Sequence, residues 1–505
     1  MTPLEYRIEA GFEPLLKWVL EGSEAGADFT VRLVRDAGDG AGNTEGNDAG
    51  GDSGDVDTLR CARVLRWLPG RRVVCSGRFG ERAVVAKWFF GGRARRHAAR
   101  EAQGALALAA GAVRTPQLIE QATVTAPDGA SAQLLLFAEV PAAQPLTDAT
   151  LSARPELWDA CLELLAGLYR AGLEHRDLHF GNLLVRDGEL WLIDGDRVRG
   201  RRSPLSNRRA IAQFARLCAE REAVLDDAVV GESWAGFRQH SAWRGAAQLG
   251  RVRRAYARAR LERLRRFAAK TQRRCTAFAR LRVGGGELLA DRDWLRGVGA
   301  GDSASRDELL QWLFHLIDRL EEQAPLKLGN TATVARAQWR DQSLVVKRYN
   351  NKSLWHRLRR ALRPNRGLIS WTAGHSLRFV GIATPRPVAL LRTRFAGPTL
   401  LVTQWQPGEA LGPAALESQA GALGWVAAAL DRLHAEGFEH RDMKATNLLV
   451  DTAAERVVLI DLDALRLHSG VAARTTGARR DRQRLLRNFA ESPEVQRDLR
   501  SRLGL

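Results

Sequence analysis

The sequence predicts an α+β protein made of two successive copies of one domain. The first observation is that a segment starting at His175, HRDLHFGNLLVRDGELWLID, returns in altered form as HRDMKATNLLVDTAAERVVLID from His440. The second is that apolar runs of strand length lie upstream of each segment, whereas an apolar pattern of helical spacing directly precedes it. We therefore expect each copy to contain a small β-rich N-terminal lobe and a helical C-terminal lobe.

The length of the chain supports two such domains. It has 505 residues, of which 45% are hydrophobic, and this is enough for two separate cores. A basic stretch over 251–274 is predicted to form a helix that closes the first copy, so we expect the domains to span 1–270 and 271–505. The Gly-, Asp- and Asn-rich stretch 36–57 is predicted to be a flexible insert, because it lacks the spacing of known calcium loops.

Each copy carries one lysine inside an apolar strand run. Lys87 lies in AVVAKWFF and Lys347 in LVVKRY, and each precedes a Thr-Pro turn, at Thr115 and Thr384. A lysine in such a run can simply mark a strand with one solvent-facing side. Because the two lysines occupy matching places, we favour the interpretation that they hold nucleotide phosphates.

A phosphate-binding lysine of this kind needs an acidic partner on a following helix. Counting back from the first Thr-Pro turn leads to Glu101 as the partner of Lys87. The same count in the second copy leads to Ser370, and no acidic residue is near it. We therefore predict that the second copy either orients Lys347 differently or binds nucleotide poorly.

Glycines upstream of the two lysines are candidates for a loop that covers phosphates. Gly77 and Gly80 precede Lys87, and Gly329 precedes Lys347. Neither set has the full glycine-rich pattern of protein kinases. An ordinary hairpin turn explains these glycines equally well, so both interpretations stay open.

The repeated segment predicts a helix, a loop and a β-hairpin. In the first copy, apolar residues over 157–168 have helical spacing, and Gly172 marks the helix end. After the HRD loop, residues 183–185 and 190–193 are predicted to form two strands joined by a turn at Asp187-Gly188. The second copy repeats this plan with a longer turn, DTAAER.

Each segment also carries two aspartates and one asparagine at matching positions. They are Asp177, Asn182 and Asp194 in the first copy, and Asp442, Asn447 and Asp461 in the second. Phosphoryl transfer needs an acceptor hydroxyl held in line and metal ions that neutralise the phosphate charge. We predict that Asp177 and Asp442 accept or orient the hydroxyl proton. The asparagines and the strand-end aspartates supply the hard oxygen ligands that Mg²⁺ prefers.

These motifs resemble those of the lipopolysaccharide kinase family. Its members are bacterial enzymes that are related to the protein kinases and that phosphorylate heptose or Kdo sugars of the lipopolysaccharide inner core. The likeness lies in HRDLHFGN, in the strand ends IDGDR and IDLDALR, and in KWFFGGRARRHAAREA after the first strand lysine. It implies two tandem protein-kinase-like domains that use ATP and Mg²⁺. It also implies the following roles: catalytic bases at Asp177 and Asp442, ATP contacts from Lys87, Glu101 and Lys347, and Mg²⁺ ligands at Asn182, Asp194, Asn447 and Asp461.

The second copy departs from the family pattern at two positions. Ser370 stands where the resemblance requires an acidic residue. The loop HRDMKATN looks more like that of a protein kinase, with Lys444 placed to meet the transferred phosphate. These departures leave the substrate class and the activity of one copy open.

The strongly basic composition indicates an anionic partner. The formal net charge is +19 and the pI is about 10.8. The arginine-rich runs suit solvated helix faces, an anionic membrane surface or, least well, nucleic acid, because they lack interleaved aromatics and no nucleic-acid-binding motif is present. No nucleic acid partner is therefore expected.

Several sequence features indicate the compartment. The five cysteines are scattered and odd in number, which is typical of a reducing environment. The N-terminal sequence has no signal-peptide pattern, and no stretch approaches the ~20 apolar residues that span a bilayer. We expect a cytoplasmic protein that can attach peripherally to the inner face of the inner membrane.

The function that these observations favour is an ATP-dependent sugar kinase. It would act on the lipopolysaccharide inner core, or another anionic glycolipid acceptor, at the cytoplasmic membrane face. Lys444 keeps a protein or small-molecule kinase open as an alternative. The missing acidic partner of Lys347 keeps open a partly non-catalytic scaffold in lipopolysaccharide assembly.

Overall fold

A computed structural model describes residues 4–10, 29–35, 56–68, 70–126, 128–243, 245–246, 248–284, 286–299, 303–328, 332–350, 365–393, 397–419 and 421–505. Helices and strands are both abundant in these ranges, so the α+β prediction is confirmed at this level. Nearly all of the predicted insert over 36–57 lies outside them. None of the described helices is long and apolar enough to cross a membrane.

The chain divides into two compact units. The first comprises Met1–Arg221 and Leu225–Ala259, and the second comprises Glu222–Val224 and Arg260–Leu505. The division falls inside a helix, because the N-terminal half of that helix contributes to the apolar core of the first unit and its C-terminal half to the core of the second. The sequence analysis placed the domain boundary at the end of the same helix, near residue 270.

The first unit begins with a closed barrel of seven strands. These are β1 (Leu4–Ala10), β2 (Phe29–Arg35), β3 (Val56–Leu68), β4 (Arg72–Phe79), β5 (Arg82–Phe89), β6 (Leu118–Thr125) and β7 (Ser131–Ala138). Parallel pairing of β1 with β6 closes the barrel, and its other pairs are antiparallel. Apolar side chains such as Trp88 fill the interior, so the barrel is a packed core.

Helix α1 (Ala94–Ala110) follows β5 and places the first unit's site. Its buried face consists largely of alanines, which lets it pack closely on Phe89, Leu135 and Phe137. At Gly104 the helix meets another backbone: an added Cβ would lie 1.9 Å from the Gly195 carbonyl oxygen. Glycine at this position therefore permits α1 to touch the chain directly after the predicted metal ligand Asp194.

The rest of the first unit is mainly helical. Its elements are β8 (Gln144–Pro145), α2 (Asp148–Ala153), α3 (Glu156–Arg170), β9 (Leu173–His175), β10 (Leu183–Arg186), β11 (Glu189–Leu192), β12 (Val198–Gly200), α4 (Asn207–Cys218), α5 (Asp227–Ser241) and the N-terminal part of α6 (Leu249–Lys270), the helix inside which the two units divide. Strands β11, β10 and β8 form one small sheet, and β12 pairs with β9. An aromatic cluster that includes Phe214, Trp234 and Phe237 lies in the core.

The second unit begins with an antiparallel sheet of seven strands. The elements in chain order are β13 (Phe278–Val283), β14 (Gly286–Asp291), α7 (Arg292–Gly297), α8 (Ser303–Arg319), β15 (Ala324–Leu328), β16 (Ala332–Trp339), β17 (Gln342–Tyr349), α9 (Arg366–Phe379), β18 (Pro387–Thr393) and β19 (Thr399–Gln404). The strand order in the sheet is β13-β14-β18-β19-β17-β16-β15. Leucines of α8 and apolar side chains of the central strands share one core.

The second unit ends with a mainly helical part. Its elements are β20 (Glu409–Ala410), α10 (Pro413–Ser418), α11 (Ala422–Ala435), β21 (Phe438–Glu439), β22 (Leu448–Asp451), β23 (Arg456–Leu459), β24 (Arg466–Leu467), α12 (Val471–Arg487) and α13 (Pro493–Arg502). Strands β20, β22 and β23 form a sheet, and β21 pairs with β24. The order of elements parallels that of the first unit from β8 onward.

The local structure predicted for the repeated segment is confirmed. Helix α3 covers the predicted helical stretch, and Gly172 follows it with a φ of +68°. Strands β10 and β11 form the predicted hairpin, whose turn residues Asp187 and Gly188 have φ values of +51° and +81°. Two positive φ angles are what a two-residue hairpin turn of this twist requires. In the second unit, β22 and β23 form the corresponding hairpin.

The glycines upstream of Lys87 have structural explanations. Gly80 lies in the turn between β4 and β5 with a φ of +54°, a conformation that L side chains rarely adopt. Gly77 lies within β4 where the neighbouring strand comes very close, because an added Cβ would be 1.9 Å from the Arg60 carbonyl oxygen. Gly329 lies outside the described residues.

Candidate active site

The strand lysine of the first unit forms an ion pair with the carboxylate predicted from the sequence. Lys87 lies on β5, and its ammonium contacts the carboxylate of Glu101 on α1. Glu101 is fully buried, and its Oε1 also accepts a hydrogen bond from the Gly195 backbone amide at 3.2 Å. One carboxylate oxygen therefore connects the strand lysine to the chain that follows Asp194.

Asp194 stands at the end of the hairpin with a left-handed backbone, at a φ of +71°. Burial alone would raise the pKa of its carboxyl, but nearby Lys87 and the charges of Arg72 and Arg66 outweigh burial and hold the pKa at about 2. Burial raises the pKa of Glu101, and the charge of Asp194 adds to this against the opposing effect of Lys87. Asp194 therefore stays ionised at neutral pH, as a metal ligand must.

The HRD loop of the first unit is tied to Asp194 through His175. This histidine is fully buried, and its Nε2 lies 3.1 Å from the carbonyl oxygen of Asp194. Burial lowers the pKa of His175, so the ring is neutral and Nε2 carries the proton that it donates to the carbonyl. The loop and the strand-end aspartate are thus held in one fixed arrangement.

Asp177 and Asn182 lie together in that loop. The Asn182 side-chain amide donates a hydrogen bond to the Asp177 carbonyl oxygen at 2.9 Å. Because the Asn182 nitrogen is engaged, its side-chain oxygen is the atom available to a cation. The Asp177 carboxylate is about half exposed, which leaves it accessible to an acceptor molecule.

The second unit repeats the loop geometry with one added cation. Asn447 donates a hydrogen bond to the Asp442 carbonyl oxygen at 2.8 Å, and His440 Nε2 lies 3.0 Å from the Ile460 carbonyl oxygen. Lys444 Nζ lies 2.8 Å from Asp442 Oδ1, and this hydrogen bond is the main reason that the pKa of Lys444 is raised. In the first unit His179 occupies the equivalent position.

The strand lysine of the second unit has different partners. Lys347 Nζ lies 2.5 Å from Asp461 Oδ1 and 3.3 Å from Asp463 Oδ2. Arg366 on α9 also contacts Asp463. Burial alone would lower the pKa of Lys347, but Tyr349, Asp461 and Asp463 outweigh burial and raise it. The lysine therefore stays charged, and two carboxylates that follow the hairpin hold it.

Ser370 accounts for this difference between the units. It lies on α9, which carries no acidic residue, and its hydroxyl is 3.0 Å from the hydroxyl of Tyr349. The sequence analysis left two alternatives for the second copy, a different orientation of Lys347 or poor nucleotide binding, and this geometry agrees with the first. It missed Asp463, for which the available signal was the second acid of IDLDA.

A cavity of about 420 Å³ lies in the second unit, within the range of ~300–1,000 Å³ that is typical of ligand pockets. Its walls include the apolar residues Val334, Val345 and Leu449. Lys347, Asn447 and Asp461 also line it. The cavity therefore offers apolar surface for a flat ring system together with the charged groups that phosphates and a cation require.

Two buried polar residues that support the HRD loops were missed by the sequence analysis. In the second unit, Asp481 on α12 accepts backbone hydrogen bonds from His440 at 2.6 Å and from Arg441 at 3.0 Å. In the first unit, Gln213 on α4 accepts from the His175 amide. The available signals were that Asp481 is the only acidic residue of its basic helix and that Gln213 is an uncharged polar residue amid apolar and basic residues in the middle of its helix.

The residues present suit magnesium in both units. Among the described residues, no group of three or more His, Cys, Asp and Glu side chains is arranged to hold a metal ion. Each unit instead offers one asparagine oxygen and one aspartate, and Mg²⁺ usually binds one or two protein carboxylates while keeping several waters. Asp194 Oδ1 is buried without a hydrogen-bond partner among the described residues, as expected of a ligand atom.

A lysine held by carboxylates, a loop Asp with its Asn, and an ionised Asp at a strand end are what kinases use to bind nucleotide phosphates. The class of protein that this arrangement indicates is therefore a kinase. The sequence model of the lipopolysaccharide kinase (Kdo/WaaP) family matches residues 87–240 and 321–503, more than half of the chain. The chain belongs to this family, and one match falls in each unit.

Two further comparisons complete this picture. One matching solved structure is described as WaaP in complex with acyl carrier protein. It is 20% identical, with a TM-score of 0.30, and the match covers 41% of this chain and 87% of that chain. Comparison with curated protein sequences finds no match.

Proposed function

We propose that this chain is an ATP-dependent phosphotransferase that phosphorylates sugars of the lipopolysaccharide inner core at the cytoplasmic face of the membrane. Each unit is, in this proposal, a protein-kinase-like domain with a β-rich N-terminal lobe and a helical C-terminal lobe. The observation that carries the proposal is the cluster in the first unit, where Lys87, Glu101 and Asp194 converge beside the HRD loop.

Within the first unit, Lys87 would hold the phosphates of ATP and Glu101 would fix the direction of its ammonium. Asn182 and Asp194 are the residues that would hold Mg²⁺, which when bound neutralises charge on the phosphates. Because Asp194 is ionised and its peptide is fixed by His175, the ligand atom is set in place before nucleotide binds. Such preorganisation lowers the cost of reaching the transition state.

Asp177 would orient the acceptor hydroxyl and receive its proton. The carboxylate is accessible to solvent, and the hydrogen bond from Asn182 to its backbone fixes the loop on which it stands. Its neighbour His179 lies 4.0 Å away, measured from His179 Nε2 to Asp177 Oδ2. The acceptor would therefore approach the first unit along the exposed side of the HRD loop.

The second unit would bind nucleotide in its own way. Its cavity contains Lys347, Asn447 and Asp461, and Asp463 would replace the helix glutamate as the anchor of the lysine. Arg366 fixes Asp463 from the other side. In a second unit that transfers phosphate, Lys444 would meet the transferred group.

A regulatory role for the second unit is the second candidate function. Both of its reactive carboxylates are paired with lysines, Asp461 with Lys347 and Asp442 with Lys444. A unit in this state would bind ATP while it transfers phosphate slowly or not at all. This would make the second unit a nucleotide-responsive partner of the first rather than an equal enzyme.

Attachment to an anionic membrane surface is supported by charge. The chain carries 77 lysines and arginines against 58 acidic residues. Basic residues near an anionic leaflet contribute about 1 kcal/mol each, so clustered arginines would bring the enzyme to a lipid-anchored acceptor.

The direct test is transfer of labelled γ-phosphate from ATP to purified lipopolysaccharide core in the presence of Mg²⁺. The wild-type chain should label the glycolipid, and the double variant Asp177→Asn with Asp442→Asn should not. Asp187→Asn is the matched control, because Asp187 is an exposed turn residue whose left-handed backbone suits asparagine. Labelling by the double variant at the wild-type rate would refute the proposal.

A further inference from the structure

Three arginines of the first unit surround one buried carboxylate beside the HRD loop. Glu174 Oε2 lies 3.5 Å from Arg176 Nε, 3.6 Å from Arg201 Nε and 3.5 Å from Arg209 Nε. The Glu174 side chain is only 12% exposed, whereas the arginines are 51%, 35% and 44% exposed. The carboxylate therefore forms the floor of a cluster whose cations reach the surface.

One carboxylate leaves this arginine cluster with an excess of positive charge. Each arginine approaches Glu174 through Nε, at a distance that gives Oε2 no hydrogen bond. Among the residues that the structure describes, the guanidinium groups of Arg176, Arg201 and Arg209 have no other partner. The terminal nitrogens of a guanidinium group are planar and can donate two parallel hydrogen bonds to one oxyanion. In these three arginines they are therefore available to a ligand.

The cluster is built next to the residue that would receive the acceptor. Arg176 directly precedes Asp177 in the chain. Strand β12 pairs with β9, with Arg199 opposite Glu174, and Arg201 follows β12. Arg209 lies in the first turn of α4, where the helix dipole disfavours a cation unless an anion is close.

The second unit has no such cluster at the equivalent position in its described residues. Glu439, the counterpart of Glu174, lies 2.8 Å from His468 Nε2 and 3.6 Å from Arg484 Nη1. Glu439 is buried, and one histidine and one arginine satisfy it. The excess of arginine is therefore a property of the first unit, and not a general requirement of the HRD loop.

We propose that the arginine cluster of Arg176, Arg201 and Arg209 binds an anionic group on the acceptor, either a phosphate monoester or a sugar carboxylate. This inference rests on the proposed function, because it assigns the cluster to the acceptor of the same site. An oxyanion bound between the guanidinium groups would hold the acceptor by a group remote from the reacting hydroxyl. Positioning of this kind raises the rate of a transfer reaction by orienting its partners.

The test is equilibrium binding of deacylated lipopolysaccharide core oligosaccharide to the full chain without ATP, measured by calorimetry. Arg201→Gln and Arg209→Gln should each weaken binding about tenfold, which corresponds to about 1.4 kcal/mol. Arg186→Gln is the matched control, because Arg186 is 42% exposed and pairs with Asp187 on the hairpin. Its affinity should equal that of the wild type, and all variants should melt at the wild-type temperature.

Binding of a second oligosaccharide, whose phosphates have been removed with hydrogen fluoride, shows whether the bound group is a phosphate or a carboxylate. If the bound group is a phosphate, wild-type affinity falls to that of the variants; if it is a carboxylate, the difference between wild type and variants persists. Unchanged affinity in both arginine variants would overturn the inference. So would arginine variants that keep oligosaccharide affinity but lose binding to phosphatidylglycerol vesicles, because the cluster would then contact the membrane.

Failure of the inference and failure of the proposed function give different results. A chain that binds the oligosaccharide through the arginine cluster but never labels it would refute phosphotransfer and leave the anion site standing. A chain that labels lipopolysaccharide, with KM for the acceptor unchanged in Arg201→Gln and Arg209→Gln, would refute the anion site alone. A chain that does not bind the oligosaccharide at all would also refute the anion site.

Discussion

Lys347 Nζ lies 2.5 Å from Asp461 Oδ1, so the strand lysine of the second unit is paired with the strand-end aspartate itself. In the first unit the equivalent lysine, Lys87, contacts Glu101 on a helix. A cation that binds Asp461 must therefore compete with a lysine in direct contact, whereas Asp194 Oδ1 lies 4.0 Å from Arg72 Nη1 and has no hydrogen-bond partner among the described residues. This difference separates the expected behaviour of the two units.

We expect Asp463→Asn to weaken nucleotide binding by the second unit roughly tenfold. The change removes the charged hydrogen bond at 3.3 Å from Lys347, and a hydrogen bond to a charged group contributes about 1.5–3 kcal/mol. The measurement is ATP affinity of the full chain carrying Lys87→Ala to silence the first unit. Asp196→Asn is the control. Asp196 is the counterpart of Asp463 in the first unit, but it pairs with Arg100 and not with the strand lysine. Equal ATP affinity with and without Asp463→Asn would contradict an anchoring role.

Glu101→Gln should raise KM for ATP and lower kcat, with at least a tenfold loss in kcat/KM. The amide keeps the shape of the side chain but removes the charge that holds Lys87, at a position that is fully buried. Steady-state kinetics at several ATP concentrations would show this. Glu189→Gln serves as control, because Glu189 forms an exposed pair with Arg114. Wild-type kinetics in Glu101→Gln would rule out the proposed pairing.

Gly104→Ala should destabilise the first unit by about 1–3 kcal/mol and reduce its activity. The new Cβ would lie 1.9 Å from the Gly195 carbonyl oxygen, so α1 must move away from the chain after Asp194. Gly167→Ala in α3 is a matched control, because its Cβ would meet only Val113 Cγ2 at 3.8 Å and alanine favours a helix. Denaturant unfolding compares the two. If they proved equally stable, the close contact would not exist in solution.

The free energy of unfolding of the second unit should decrease as the pH falls below 6.5, because His375 is buried in the folded chain. Burial first, and then Arg386 and Arg378, lower the pKa of His375 from the ordinary 6.5 to about 3. Above pH 6.5 the ring is neutral in both states, so it has no effect on the pH dependence. As the pH falls below 6.5, the unfolded chain takes up a proton that the folded chain refuses, which costs about 1.4 kcal/mol per pH unit.

The check is the free energy of unfolding between pH 7 and pH 5 for wild type and His375→Leu. His375 packs between Trp371 and Phe278, so leucine suits the site. The variant should lose less stability over this range than the wild type. Identical slopes for wild type and His375→Leu would show that His375 titrates normally in the folded chain.

Features encoded in short stretches of sequence were predicted, and features that depend on distant contacts were not. The hairpin after each HRD loop follows from apolar strands and a turn such as Asp187-Gly188, so its position was clear. The pairing of Lys87 with Glu101 could be predicted because a known arrangement relates them by spacing. The anchors Asp463, Asp481 and Gln213 were not found, since only the folded chain brings them to their partners.

The closed barrel of the first unit could not be predicted from the sequence either. It depends on parallel pairing between β1 and β6, which are far apart in the chain, and no local pattern specifies that pairing. The prediction of a small β-rich lobe required only the strand-like runs near Lys87. The additional strands β1, β2 and β3 therefore enlarge the lobe without altering the predicted site.

The central claim is that the first unit holds the complete phosphotransfer site. The most direct measurement is labelled phosphate transfer from ATP to lipopolysaccharide core by two single variants of the full chain. The account predicts that Asp177→Asn abolishes labelling, whereas Asp442→Asn retains it. Labelling that persists in Asp177→Asn and disappears in Asp442→Asn would contradict the account, because the second unit would then be the phosphotransferase.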